Sequence, residues 1–224
     1  MTRAEITRFL TIATMNKLMK RGRVFREIAL GSWNHEGGIL DLLWFKGLTI
    51  SPSESFRLVG VEIKSCKQDF ESDEHWPRYL ATNLLDEFCF VTVEGAITLD
   101  DLQPSRIGKM MTKTDGVWNH LYARNLVNHD EKGWFPNQDW LYETVSCIGL
   151  HVYSEKSLEK IKVQLSRPYY TRKYPRCRIL REPKPLQKRP YGYNAWKDER
   201  NIWILKRCLD RGSRAVKKIF EKEL

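Results

Sequence analysis

The stretch VGVEIKSCKQDF, residues 59–70, decides how the chain folds. Val59, Val61 and Ile63 mark a strand with an apolar face, yet Glu62 and Lys64 interrupt the run two residues apart. Side chains alternate faces along a strand, so Glu62 and Lys64 stand side by side opposite the apolar three. The strand before it, GILDLLWF (38–45), carries a matching interruption at Asp41. Partners in an antiparallel hairpin share a constant index sum. Pairing Asp41 with Glu62 gives 103, which centres the turn between Ser51 and Pro52. Ser-Pro marks a turn there independently. The two carboxylates are then expected on one face of neighbouring strands, with Cβ atoms about 5 Å apart.

Carboxylates held that close repel unless one is protonated or a cation lies between them. Mg²⁺ (or Mn²⁺) resolves the conflict, since it takes oxygen ligands and typically binds one or two carboxylates with phosphate oxygens and water. Lys64, beside Glu62, is placed to orient or deprotonate an attacking water and to offset charge developing on a phosphate. The pattern suits phosphodiester hydrolysis. E-x-K by itself is a weak motif, and Glu182-Pro183-Lys184 repeats it in a Pro-rich basic tract. An exposed acid–base pair on a hairpin is worth only ~0–1 kcal/mol and would use the same letters. The coincidence with Asp41 is what favours chemistry.

The 224 residues, 42% hydrophobic and 12% aromatic, suffice for a sizeable core. Net charge is +10, and it is unevenly spread. Residues 165–224 hold 18 Lys+Arg against 6 Asp+Glu, whereas the rest hold 20 against 22. A polyanionic partner is therefore expected to meet the last quarter of the chain. Five scattered cysteines form no CxxC and suggest neither a zinc site nor a disulfide framework. No apolar run reaches the ~18 residues of a membrane span, and a reducing, cytoplasmic setting is the default expectation.

Apolar spacing predicts a helix over 4–20, strands over 24–30, 37–45, 58–64, 87–93 and 146–154, and a helix within 69–86 where Pro77 obscures the start. Arg106 to Ala123 has helical character, and 127–140 reads as an aromatic-rich loop. A terminal helix is expected from about Asn194 to Glu223. Strands flanked by helices, with an early hairpin, imply an α/β fold with a mixed β-sheet. The domain expectation is a core over 1–165, with an unassigned insertion at about 95–143, and a basic extension over 166–224.

The order helix, strand, D, hairpin, ExK, helix resembles the PD-(D/E)XK nuclease superfamily, with Asp41 as the D and Glu62-Ile63-Lys64 as the ExK. Over residues 24–93 the chain is similar to the MmcB-type DNA-repair family. There EIKSS is followed by a basic residue, D-F, a W-P-x-Y helix and an F-x-F strand. The matching places are Lys67, Asp69-Phe70, Trp76-Pro77, Tyr79 and Phe88-Cys89-Phe90. The resemblance implies a restriction-endonuclease-like core and metal-dependent cleavage of nucleic acid, with Asp41, Glu62 and the carbonyl of Ile63 on the metal and Lys64 serving the water. Many members add an acid from the N-terminal part; Glu27 is the candidate, with Glu5 and Glu36 as competitors. Leu40 replaces the proline before the aspartate, and Cys66 stands where the close family has serine.

Tyr169, Tyr170, Arg172, Lys173, Tyr174, Arg176 and Arg178 interleave rings with cations, which suits phosphate neutralisation and base stacking. Lys188 and Arg189 extend that surface, and Lys67 and Tyr79 are expected near the substrate. A solvated basic segment with packed tyrosines is the plainer alternative. The expected function is a nuclease acting on DNA in repair, recombination or a phage-related process. The runner-up is a catalytically inactive nucleic-acid-binding module of the same fold.

Overall fold

The computed structural model describes residues 1–29, 39–47, 57–73, 75–76, 80, 85–111, 127–130, 133–136 and 138–186. Helix α1 (Arg3–Leu18) opens with a capping box: Thr2 Oγ1 accepts from the Glu5 amide, and the Glu5 carboxylate accepts from the Thr2 amide at 2.8 Å. Strand β1 (Gly22–Ala29) pairs antiparallel with β2 (Ile39–Lys46), and β2 pairs antiparallel with β3 (Arg57–Lys64). After the short helix α2 (Lys67–Glu71), β4 (Glu87–Val93) lies parallel to β3, and β7 (Gly149–Tyr153) lies parallel to β4. Strand β8 (Arg178–Arg181) closes the edge antiparallel to β7. The six-stranded order is β1-β2-β3-β4-β7-β8, a mixed sheet. Helices α3 (Pro104–Met111), α4 (Gln138–Cys147) and α5 (Glu155–Leu165) complete the described elements, with a small separate hairpin of β5 (Val127–Asp130) and β6 (Gly133–Pro136).

Helices cover both faces of the sheet, which is why β3 is buried from Leu58 to Lys64 instead of alternating in and out. One core gathers Leu43, Phe45 and Leu58 with Phe70 of α2, Ile107 of α3 and Leu141 and Val145 of α4. The other gathers Leu42, Trp44, Val59, Val61 and Ile63 with Phe9, Leu10 and Ala13 of α1 and Leu158 and Ile161 of α5. Leu58 belongs to the first core and the odd-numbered β3 residues to the second. Alternation therefore directs Glu62 and Lys64 to the α2–α3 side. On that side Phe70, Trp76, Phe88 and Phe90 pack ring on ring at 5.2–5.9 Å.

Several expectations are revised. Residues 127–130 and 133–136 form strands, not a loop, because GWFP pairs back on VNHD. Ser146 and Cys147 end helix α4 rather than begin β7. The basic extension is built into the core as far as Leu186: β8 pairs with β7, and the Leu186 amide donates to the Asp86 carbonyl. The Ser51-Pro52 turn, the terminal helix and the end of the 106–123 helix lie outside the described residues. Among the described residues no helix is long and apolar enough to cross a membrane.

Candidate active site

The β2–β3 ladder runs from Lys46↔Arg57 to Leu42↔Val61 and keeps the index sum of 103, so Asp41 and Glu62 are the next pair in register. At that point the side chains take over the hydrogen bonding. The Ile63 amide donates to Asp41 Oδ2 at 2.7 Å, and the Asp41 amide donates to Glu62 Oε1 at 3.3 Å. The hairpin strands thus part at a pair of carboxylates, each accepting a backbone amide on one oxygen.

Lys64 Nζ lies 3.1 Å from Glu62 Oε2 and also bonds the Asp73 carboxylate just beyond α2. The Glu62 and Lys64 side chains are 4% and 6% exposed, which rules out a surface ion pair. Around them, Thr92 Oγ1 donates to the Lys64 carbonyl at 2.8 Å, and Asp69 takes both the amide and the hydroxyl of Ser65. These bonds fix the carboxyl end of β3.

Burial pushes the Glu62 carboxyl up to about 8, and the charge of Asp41 adds to the rise while Lys64 opposes it. Burial likewise raises Asp41, against the pull of the Ile63 amide and of Lys64. For Lys64 burial acts downward, but Glu62 and Asp73 outweigh it and the ammonium is held above its ordinary value. An ammonium donates protons. Held between Glu62 and Asp73, it can direct an N–H toward a water or a phosphate oxygen.

Among the described residues no three or more His, Cys, Asp or Glu side chains cluster to hold a metal ion. The donor set present is two carboxylates, which matches the way Mg²⁺ is ordinarily held, the remaining positions going to carbonyl, water and phosphate oxygens. Charge agrees. Glu62 and Asp73 both contact the one ammonium and Asp41 stands at the register position of Glu62, so carboxyls outnumber cations here, and the charge of Asp41 adds to the burial that raises Glu62. The residues present fit a divalent cation.

Glu27 stands between the pairs Arg26↔Leu42 and Ile28↔Leu40, hence opposite Asp41. Its φ of 52° breaks the alternation, so that Phe25 and Ile28, three residues apart, enter the same core. Its side chain is 66% exposed and pairs with Arg26 at 3.1 Å. Glu5 is engaged in the capping box, where its bond from the Thr2 amide is the main influence holding its carboxyl below the usual range. Glu36, Tyr79, Lys188 and Arg189 lie outside the described residues. The acid the structure brings to Lys64 is Asp73, which the sequence hid among Asp69, Glu71 and Glu74.

Lys67 is half exposed and bonds Asp101 at 2.9 Å. Arg172 donates to the Leu165 and Arg167 carbonyls at the end of α5 and sits 5.8 Å from the Tyr169 ring. Arg178 pairs with Glu94 at 2.8 Å, in a strand three positions from β3, about 14 Å across the sheet. Lys173 and Arg176 are exposed, as are Tyr169 and Tyr170 at 70% and 87%. No family model, curated protein or solved structure matches the chain.

Proposed function

We propose that the chain is a metal-dependent nuclease that hydrolyses phosphodiester bonds, with DNA as substrate and Mg²⁺ (or Mn²⁺) held by Asp41, Glu62 and the carbonyl of Ile63. The observation that carries this reading is the array of half-buried Asp41 with buried Glu62 and Lys64 where β2 and β3 part. Burying these charges costs several kcal/mol, and an apolar trio of similar volume would serve folding as well or better. Packing alone gives such charges no advantage, and this supports a chemical role.

A bound Mg²⁺ would supply charge for the phosphate oxygens and a more acidic water. The chain's own residues do the rest. The Ile63 amide holds Asp41 in one orientation, and Glu62, once deprotonated, would be the second carboxylate to hold the metal. Lys64, kept charged between Glu62 and Asp73, directs an N–H toward an attacking water or a phosphate oxygen. The support is the motif order, the register and the electrostatics together.

The test is cleavage of labelled single-stranded, duplex and branched DNA, and of RNA, by wild type and Lys64→Ala. Cutting by wild type is expected to vanish in EDTA and to fall about 100- to 1,000-fold in the variant, the usual effect of removing one preorganised charge or donor. If both proteins bind DNA and neither cuts it, the chain is a non-catalytic binding module and the nuclease reading fails.

A further inference from the structure

On the same side of the sheet as Lys64, a second charged cluster has no part in the array described above. Asp101, whose side chain is 5% exposed, receives Lys67 Nζ at 2.9 Å and Arg106 Nη1 at 2.6 Å, both on Oδ1. Its other oxygen accepts from the Thr98 amide at 2.9 Å and the Thr98 hydroxyl at 2.8 Å. Four donors fill the carboxylate. The two cationic nitrogens, sharing one oxygen, lie within about 5.5 Å of each other.

Like charges at that separation repel, and Arg106 has a further reason not to be there. It occupies the first turn of α3, the end of a helix where the dipole disfavours a cation and favours an anion. Asp101 holds it in place nonetheless. The Lys67 and Arg106 side chains remain 48% and 55% exposed, and each has more N–H donors than the one bond to Asp101 uses. The cluster carries net charge +1 beside a positive helix end. Lys67 is three residues beyond Lys64, so their Cα atoms are at most about 11 Å apart.

We infer that Lys67 and Arg106 form a two-cation clamp for a backbone phosphate of the bound nucleic acid, with Asp101 as the positioning residue. This rests on the nuclease reading and extends it: the clamp seats the strand next to the scissile group. A buried acid bearing two cations occurs elsewhere, where Glu87 holds Lys46 and Arg57, but that trio joins strands at the opposite end of β3. It serves as the control.

The experiment is duplex binding by the full chain in EDTA, followed across salt concentration, for wild type, Lys67→Ala, Arg106→Ala, Asp101→Asn and Lys46→Ala. Removing either clamp cation is expected to weaken binding and lower the slope of log K against log salt by about 0.9, one phosphate contact. Asp101→Asn removes a negative charge, so simple electrostatics predicts tighter binding; loss of positioning predicts weaker binding, and that is the expected result. Lys46→Ala should leave the slope unchanged. Thermal unfolding of each variant separates misfolding from lost contact, and Arg106, exposed at the helix start, is the variant least able to disturb the core. An unchanged slope in Arg106→Ala, or tighter binding by folded Asp101→Asn, overturns the clamp and leaves the nuclease reading standing. No duplex binding by wild type overturns both.

Discussion

Glu62 is the residue at which folding and function pull apart. Its carboxyl sits near 4.5 in an unfolded chain and about 8 in the fold, so between those values the folded state holds a proton that the unfolded state has released. Stability must therefore fall as pH rises through that window. His151 acts oppositely but elsewhere, because burial pushes it down to about 4 and its linkage ends above its ordinary 6.5. Between pH 6.5 and about 8 the expected slope is that of Glu62. In EDTA the melting temperature of wild type is expected to drop across this interval and that of Glu62→Gln to drop much less. Added Mg²⁺ should stabilise the wild type more at pH 8 than at pH 6.5, since Glu62 must lose its proton to become a ligand. A metal effect independent of pH would count against Glu62 as a ligand. The pairing of Asp41 with Glu62 was legible in the sequence because strand register follows from a period of two and a turn position. Asp73 was not legible. It reaches Lys64 through the path of the chain after α2, and nothing in DFESDE distinguishes it from its acidic neighbours.

At the level of elements, β3 is the strand on which the site depends, and Gly60 shows how tightly it is set. A Cβ there would stand 2.6 Å from Leu85 Cδ1 and 3.0 Å from the Phe88 ring, on the face that also carries Glu62 and Lys64. Leu85 can give way in part, but Phe88 is locked against Phe90 at 5.2 Å. Gly60→Ala is expected to cost about 1–3 kcal/mol, the range for overpacking a filled core, read as a lower urea midpoint with unchanged slope. If the strand shifts to make room, the metal response will be lost along with stability; if only Leu85 moves, the response will persist. The central strands were legible from their apolar letters. The covering helices were less so: α5 contributes only Leu158 and Ile161 as buried residues, too few to impose a helical period. Strand β8 spans four residues inside a basic tract, and its pairing with β7 is a tertiary fact that RILR alone does not encode.

For the molecule as a whole, the question is which positive charges are available to a polyanion and which are committed to the fold. The last 60 residues carry the entire charge excess, and five cations of the described part of that segment can be sorted by their contacts. Arg172 closes the end of α5 through two carbonyls, Arg181 donates to the Val145 carbonyl at 2.7 Å, and Arg178 pairs with Glu94. Lys173 and Arg176 are exposed, as are the Tyr169 and Tyr170 side chains, a residue set that suits phosphate contact and base stacking. Replacing Lys173 and Arg176 together by Gln is expected to weaken DNA binding and to lower the salt slope by up to about 1.8, two phosphate contacts, without moving the melting temperature. Arg172→Gln is expected to do the reverse, lowering the melting temperature and leaving most of the salt slope in place. Titrating a labelled duplex across salt and melting the same samples reads both effects at once. Equal effects of the two changes on slope would mean that the segment acts only as a diffuse cloud of charge. Opposite effects would mean that the fold spends some of its arginines on its own carbonyls and turns the remaining cations toward the ligand.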